Sequence, residues 1–313
     1  MPRVVKSVLV ERPTRLLDVL MTHFGLDDRG AKRLVDRKLV TVDGVVVYIK
    51  SAVVSGLVTT TIFEADSRND PVFVHERFAL FDKPSGLVMY PSKARNDRSL
   101  LDDVHKHFGN LATHTHRLDK ETSGLVLVAR DLEADRLIKG LFRDKEVYKT
   151  YLAFVVGHLT ERHEVHAKLI EQNGIDEFDS AVSDEGKEAT TIIEPLESHP
   201  DLNATLVRCT PLTGRTHQIR IHCFHIGHKI IGEPVYGIDP ALRKKYLERE
   251  MEEVERVKVT GARRLMLHAY RIKFSFGGSD FEITSKMEFG TKEFLQEMMR
   301  PSSSSSSSSS SLQ

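Results

Sequence analysis

Apolar residues recur along this chain with two different periods, and the change of period divides it. From Thr14 the spacing is helical: Leu16, Leu17, Leu20 and Phe24 share one face, and Thr14 stands where a cap is needed. A second helix is predicted over RGAKRLVDRK, with Asp28 as its N-cap and Ala31, Leu34 and Val35 as its apolar stripe. Arg29, Lys32, Arg33, Arg37 and Lys38 fill the remaining faces, opposed inside the helix only by Asp36. The stretch LVTVDGVVVYI then alternates or runs apolar around Asp43-Gly44, a dipeptide suited to a tight hairpin turn. Together these elements make a first domain over residues 1–66, followed by a polar linker, EADSRND, at 64–70.

Over residues 71–300 the pattern changes. Short strand-like runs (RFALFDK, GLVLVAR, KTYLAFVVG, ATLVRCT, RIKFSF) are interspersed with helical stretches such as SLLDDVHKHF and DLEADRLIKGLF, without regular strand–helix alternation. That order predicts an α+β domain on a largely antiparallel, mixed central sheet. Residues 241–256 are densely charged and helix-favouring, which reads as a surface helix or insertion. The tail from Pro301 holds ten serines before Leu312 and Gln313, a composition expected to stay disordered.

Composition changes this picture little. The 45 basic and 45 acidic residues cancel, so a basic surface, if there is one, must be local. Cys209 and Cys223 are the only cysteines, in no metal or disulfide spacing, which suits a reducing compartment. No apolar run reaches the ~20 residues of a membrane span and no signal-peptide core opens the chain, so a soluble cytoplasmic protein is expected.

The chemistry concentrates in HTHRLDKETSGLVLVAR, residues 114–130, where one carboxylate, Asp119, stands among histidines and arginine just before an apolar strand. An aspartate there is ordinarily a cap or turn residue. Its neighbours His116, Arg117, Leu118, Thr122, Ser123 and Gly124 resemble the signature of the RluA-type pseudouridine synthases, in which the aspartate is the catalytic nucleophile. Four further segments follow the same family order. FALFDKPSGLVMYPS supplies Lys83-Pro84 and Gly86, YKTYLAFVVGH supplies a tyrosine at Tyr151, and PLTGRTHQIRIHCFHIGHKIIGEPVYG supplies Arg220. Finally, RLMLHAYRIKF contributes Leu267. One departure is Glu233 where the family usually carries aspartate, a longer carboxylate expected at most to disturb a structural contact and to leave the chemistry alone. The first domain is similar to S4 RNA-binding domains over about residues 14–62, which implies that Arg29, Lys32, Arg33, Arg37 and Lys38 lie against RNA phosphates.

The resemblance implies isomerisation of uridine to pseudouridine without cofactor or metal. Uracil must leave its stack, at a cost of a few kcal/mol, detach from C1′ and reattach through C5. Asp119 would attack C1′, attack C6, or remove a C2′ proton. Arg117, and His116 beside it, would contact RNA, with Arg117 filling the place of the flipped base. Arg220 would pair with Asp119, Tyr151 would stack on the uracil, and Leu267 would form an apolar wall. The appended S4-like domain favours large-subunit (23S) ribosomal RNA, with ribosomal subunit precursors as further partners of a monomeric enzyme. The alternatives are a tRNA-directed synthase and a non-catalytic RNA-binding or assembly protein. The histidine-rich spacing at His114, His116, His217, His222, His225 and His228 also admits a metal-site reading from residue types alone.

Overall fold

The computed structural model describes residues 3–26, 28–36, 38–63, 69–91, 98–170 and 182–302. The expected disorder of the serine run, most of the expected linker, Arg37, and the side chains of Arg29 and Arg33 lie outside the described residues. The chain divides into two compact units, Met1–Asp66 and Ser67–Gln313.

In the first unit, β1 (Arg3–Arg15) precedes helices α1 (Leu16–Phe24) and α2 (Asp28–Asp36), and β2 (Val40–Val42), β3 (Val45–Val46) and β4 (Val53–Phe63) follow. The strand order is β1-β4-β2-β3, antiparallel throughout. Thr14 does not cap the first helix. It pairs with Val54 inside the β1–β4 ladder, and its hydroxyl donates to the Arg12 carbonyl at 2.8 Å. The Leu16 amide instead donates to the Ala52 carbonyl, just before β4, at 2.8 Å, so backbone rather than a side chain satisfies this donor at the helix start. Asp28 is the first helical residue of α2, and its carboxylate takes the Lys32 ammonium at 2.7 Å, one turn on. The Asp43-Gly44 turn has φ of 49° and 81°, the two positive angles of a tight two-residue hairpin. Leu16, Leu20, Ala31, Val35, Val40 and Val58 form its core.

The second unit is built on a ten-stranded sheet. Its strands in chain order are β5 (Pro71–Val74), β6 (Phe78–Lys83), β7 (Thr113–His114), β8 (Ser123–Ala129), β9 (Tyr148–Val156), β10 (His163–Leu169), β11 (Lys187–His199), β12 (Ala204–Pro211), β13 (Leu267–Phe276) and β14 (Ser279–Thr284). The main path runs β10-β11-β12-β9-β13-β8-β6-β5, with β7 on β8 and β14 on β13. Only β13 and β8 pair in parallel, so the sheet is mixed and mostly antiparallel. Both faces of its centre are covered, which explains the unbroken apolar runs. On β6, Ala79 and Phe81 enter one core and Phe78 and Leu80 the other. The second core is closed by Ala134 and Ile138 of α4 (Leu132–Arg143). Helix α3 (Leu100–Phe108) packs Leu100 and Val104 on the first.

The parallel contact has a backbone requirement at its centre. A Cβ on Gly124, which has φ +108°, would lie 2.3 Å from the Ala269 carbonyl oxygen. Beyond β12 come α5 (Gln218–His225), α6 (Pro240–Leu247), α7 (Glu253–Thr260) and, after β14, α8 (Lys292–Met298). The charged stretch 241–256 is therefore two helices rather than one surface helix, and Arg243 on the first is buried. Among the described residues no helix is long and apolar enough to cross a membrane.

Candidate active site

Asp119 sits in the loop between β7 and β8, at the edge of a cavity of about 800 Å³. That loop is held by its backbone. Buried Leu118 anchors one side of Asp119, and the Thr122 amide closes a turn on the Asp119 carbonyl at 3.2 Å. The Gly86 amide and the Lys83 ammonium both reach the Lys120 carbonyl, at 2.8 and 3.0 Å. Lys83 is fully buried, and its remaining donors meet the carbonyls of Pro84 and Leu87 at 3.0 and 2.8 Å. Burial pulls its pKa to about 7, while the three carbonyls match the three donors of the charged form.

Arg220, in the first turn of α5, approaches the Asp119 carboxylate through Nη1 at 3.4 Å. Its other two nitrogens are committed elsewhere. Nε and Nη2 donate to both oxygens of Glu233 at 2.8 and 2.7 Å, a buried bidentate pair. Glu233 Oε1 also accepts the amides of Val235 and Tyr236 at 2.8 and 3.3 Å. The expected disturbance of a structural contact by Glu233 is not seen: the longer carboxylate makes an intact pair with the arginine that faces Asp119. Burial lowers the guanidinium's pKa, but Glu233 and Asp119 outweigh it and the net shift is upward.

Tyr151, on β9, pairs in register with Ala269 of β13 and Cys209 of β12, and Leu267 lies at the start of β13. Both line the cavity and both are buried. Burial, then the nearby charge of Asp119, raises the Tyr151 pKa, so the phenol keeps its proton. Asp119, Tyr151, Arg220, Leu267, His116 and Arg117 are therefore gathered on one cavity from four separate stretches of chain.

The positive setting expected around Asp119 does not come from histidine. Burial lowers the pKa of His114 to about 4 and of His116 to about 3, and His116 Nε2 accepts the Leu127 amide at 3.0 Å. Arg117 is exposed at the cavity edge. In the first unit, Lys32 and Lys38 are exposed, Lys32 in its pair with Asp28.

Sequence reasoning did not foresee the contact of His217 with Asp119, nor the basic rim of the cavity. His217 precedes α5 with φ 55°, in the left-handed region, and directs Nε2 to within 3.7 Å of Asp119. Its Nδ1 meets the Tyr236 hydroxyl at 2.9 Å. Burial, then Arg220, lowers its pKa to about 4, so at neutral pH the contact with Asp119 is not an ion pair. A basic rim of Arg143, Lys145, Lys149 and Arg215, with Tyr148 65% exposed among them, also lines the cavity. No sequence spacing marks these rim residues, because they come from the end of α4, the turn after it, the start of β9 and the β12–α5 loop. Among the described residues, no three His, Cys, Asp or Glu side chains gather as a metal ligand set. His222 contacts Thr191 and His228 the Val156 carbonyl instead.

Residues 77–225 match the family described as RNA pseudouridylate synthase. The "Uncharacterized RNA pseudouridine synthase" of Helicobacter pylori strain J99 is 34% identical over 301 residues, covering 95% of this chain and all of that protein. The "Ribosomal large subunit pseudouridine synthase D" of Pseudomonas aeruginosa is 36% identical over 211 residues, 63% of this chain and 65% of that protein. Among solved structures, human RNA Pseudouridylate Synthase Domain Containing 1 superposes with a TM-score of 0.54 at 22% identity, over 76% of this chain and 97% of its own, a likeness of fold. On the full-length match to the Helicobacter relative, the chain belongs to the RNA pseudouridine synthase family.

Proposed function

We propose that this synthase isomerises uridine in structured RNA with Asp119 as nucleophile on a flipped-out nucleotide, and that its substrate is large-subunit ribosomal RNA. The observation that carries the catalytic reading is the convergence of Asp119, Tyr151 and Arg220 on one cavity large enough for a nucleoside. In the reaction the C1′–N1 bond is exchanged for C1′–C5, the C5 proton leaves and N1 becomes protonated, so no redox partner is required. Asp119 supplies the carboxylate, partly open to the cavity with its side chain 21% exposed. Arg220, locked by Glu233, offers it one N–H and a fixed charge. Tyr151 stacks on the uracil and, keeping its proton, serves as a hydrogen-bond donor rather than as a ready base.

Arg117 fills the gap left by the extruded base, and the rim lysines and arginines hold the flanking phosphates. The first unit acts as an S4-type RNA grip through α2. The ribosomal target is supported by the S4 resemblance and by the relative named for the large ribosomal subunit. Pseudouridine mapping of total RNA from cells with the wild-type chain, with Asp119→Asn and with the gene deleted tests the whole reading. One or a few uridines in large-subunit rRNA should lose modification in both altered strains. Loss confined to tRNA overturns the target, and no change at any site, with no activity on transcripts, overturns the catalytic role.

A further inference from the structure

Asp119 is only lightly held by its own carboxylate contacts, at 3.4 Å to Arg220 and 3.7 Å to His217, so its position depends on the loop that carries it. Two residues further on, that loop holds a second carboxylate. Glu121 is buried, and its Oε1 accepts the Tyr246 hydroxyl at 2.8 Å while its Oε2 accepts Arg256 Nη2 at 2.7 Å. Its backbone carbonyl accepts the Ser85 hydroxyl at 2.7 Å. Tyr246 lies on α6 and Arg256 on α7, more than a hundred residues away along the chain.

The helix pair is itself cross-linked. Lys245 donates to both oxygens of Glu255 at 2.7 and 2.6 Å, and the Arg256 guanidinium lies 5.4 Å from the Tyr246 ring centre. The far end of α7 reaches the turn that holds Glu233, where the Gly232 amide donates to the Thr260 carbonyl at 2.8 Å. Across residues 240–260 six basic side chains face five acidic ones, a balance that suits a brace and not a phosphate grip. Burial raises the Glu121 pKa, and Arg256, Tyr246 and Lys120 together more than offset it, leaving the group a carboxylate.

We propose that Glu121 is a positioning residue for Asp119, and that α6–α7 is a brace fixing the catalytic loop through the Tyr246–Glu121–Arg256 contact. The proposal rests on Asp119 being the nucleophile. A buried carboxylate stripped of its cation is strongly unfavourable, so cutting the tie releases the loop locally rather than leaving it in place. With the loop free, Asp119 meets the flipped uridine less often in the productive geometry, which lowers kcat and leaves RNA binding at the rim intact.

The test compares full-length wild type with Glu121→Gln, Tyr246→Phe, Arg256→Met and Arg256→Lys. Hydrogen–deuterium exchange is read for the peptide spanning residues 117–124. Steady-state kcat and KM are read by tritium release from an in-vitro transcribed large-subunit rRNA labelled at uridine C5. Glu121→Gln and Arg256→Met should raise exchange in that peptide alone and lower kcat at least tenfold, with KM within twofold. Arg256→Lys should restore most of both, and Tyr246→Phe, which deletes one hydroxyl, should lower kcat two- to fivefold, the informative arm if the charge variants do not fold. Unchanged exchange with kcat within twofold overturns the proposal, as does exchange that rises equally throughout the second unit. If wild type releases no tritium, the functional reading fails, while the exchange data still decide whether the brace exists.

Discussion

Replacing Glu233 by glutamine isolates a fully buried electrostatic element of the site. The change keeps the side chain's size and lets Oε1 go on accepting Arg220 Nη2, Val235 and Tyr236, at 2.7, 2.8 and 3.3 Å. The amide nitrogen then faces Arg220 Nε at the place where Oε2 accepted at 2.8 Å, donor against donor. Removing one partner of a buried ion pair typically costs about 3–5 kcal/mol, and the retained contacts place this variant near 3. For a unit of this size that corresponds to a Tm lower by about 6–12 °C. Arg220, no longer clamped, ceases to present Nη1 to Asp119 at a fixed angle, so kcat should fall at least tenfold. Glu233→Asp restores the charge on a shorter arm and should recover part of both losses. Thermal unfolding followed by circular dichroism, with the transition of the second unit separated from that of the first, measures the stability, and tritium release measures the turnover. A Tm within 2 °C of wild type together with unchanged kcat would refute the claim that this pair organises the site.

Asp119→Asn should abolish pseudouridine formation while changing stability by less than about 1 kcal/mol, because its ion pair is long and partly exposed; mass spectrometry of the RNA and a melting curve check both. Tyr151→Phe should retain RNA affinity and lose about a hundredfold in kcat, since the ring stays and the buried hydroxyl is lost; equal loss in KM would contradict the assignment. Stability should decline as pH falls from about 6.5 towards 4. Burial holds His114, His217 and His222 near 4 in the folded chain, so in that window the unfolded chain binds more protons and stability rises with pH. Urea titrations at pH 7, 6 and 5 would expose a flat response, which would be inconsistent with neutral buried imidazoles. Gly124→Ala should lower stability by more than about 3 kcal/mol or prevent folding, because its Cβ would sit 2.3 Å from the Ala269 carbonyl oxygen on the parallel neighbour strand.

Local rules made much of this protein legible. The run GLVLVA is apolar at every position because both faces of β8 are covered, and Asp43-Gly44 supplies the positive φ angles of a tight turn. The resemblance to RluA-type motifs singled out Asp119, Tyr151 and Arg220, and the fold brings all three to one cavity. Where the reading failed, the cause was a partner remote in sequence. Thr14 looks like a cap, but strand β4 claims its segment for the sheet.

What the residues alone determined is the set of short-range properties: element type, the two-part division, and which ionisable groups are candidates for the site. Tertiary structure alone decided how those groups are held. Glu233 became the clamp on Arg220, His217 a neutral neighbour of Asp119, and the charged segment after residue 240 two helices tied to Glu121. The physical reason is that a carboxylate's role depends on which donors come within about 3 Å and how much water they displace. Those distances are set by strand pairing and core packing between segments from 13 to 135 residues apart, which no local pattern records.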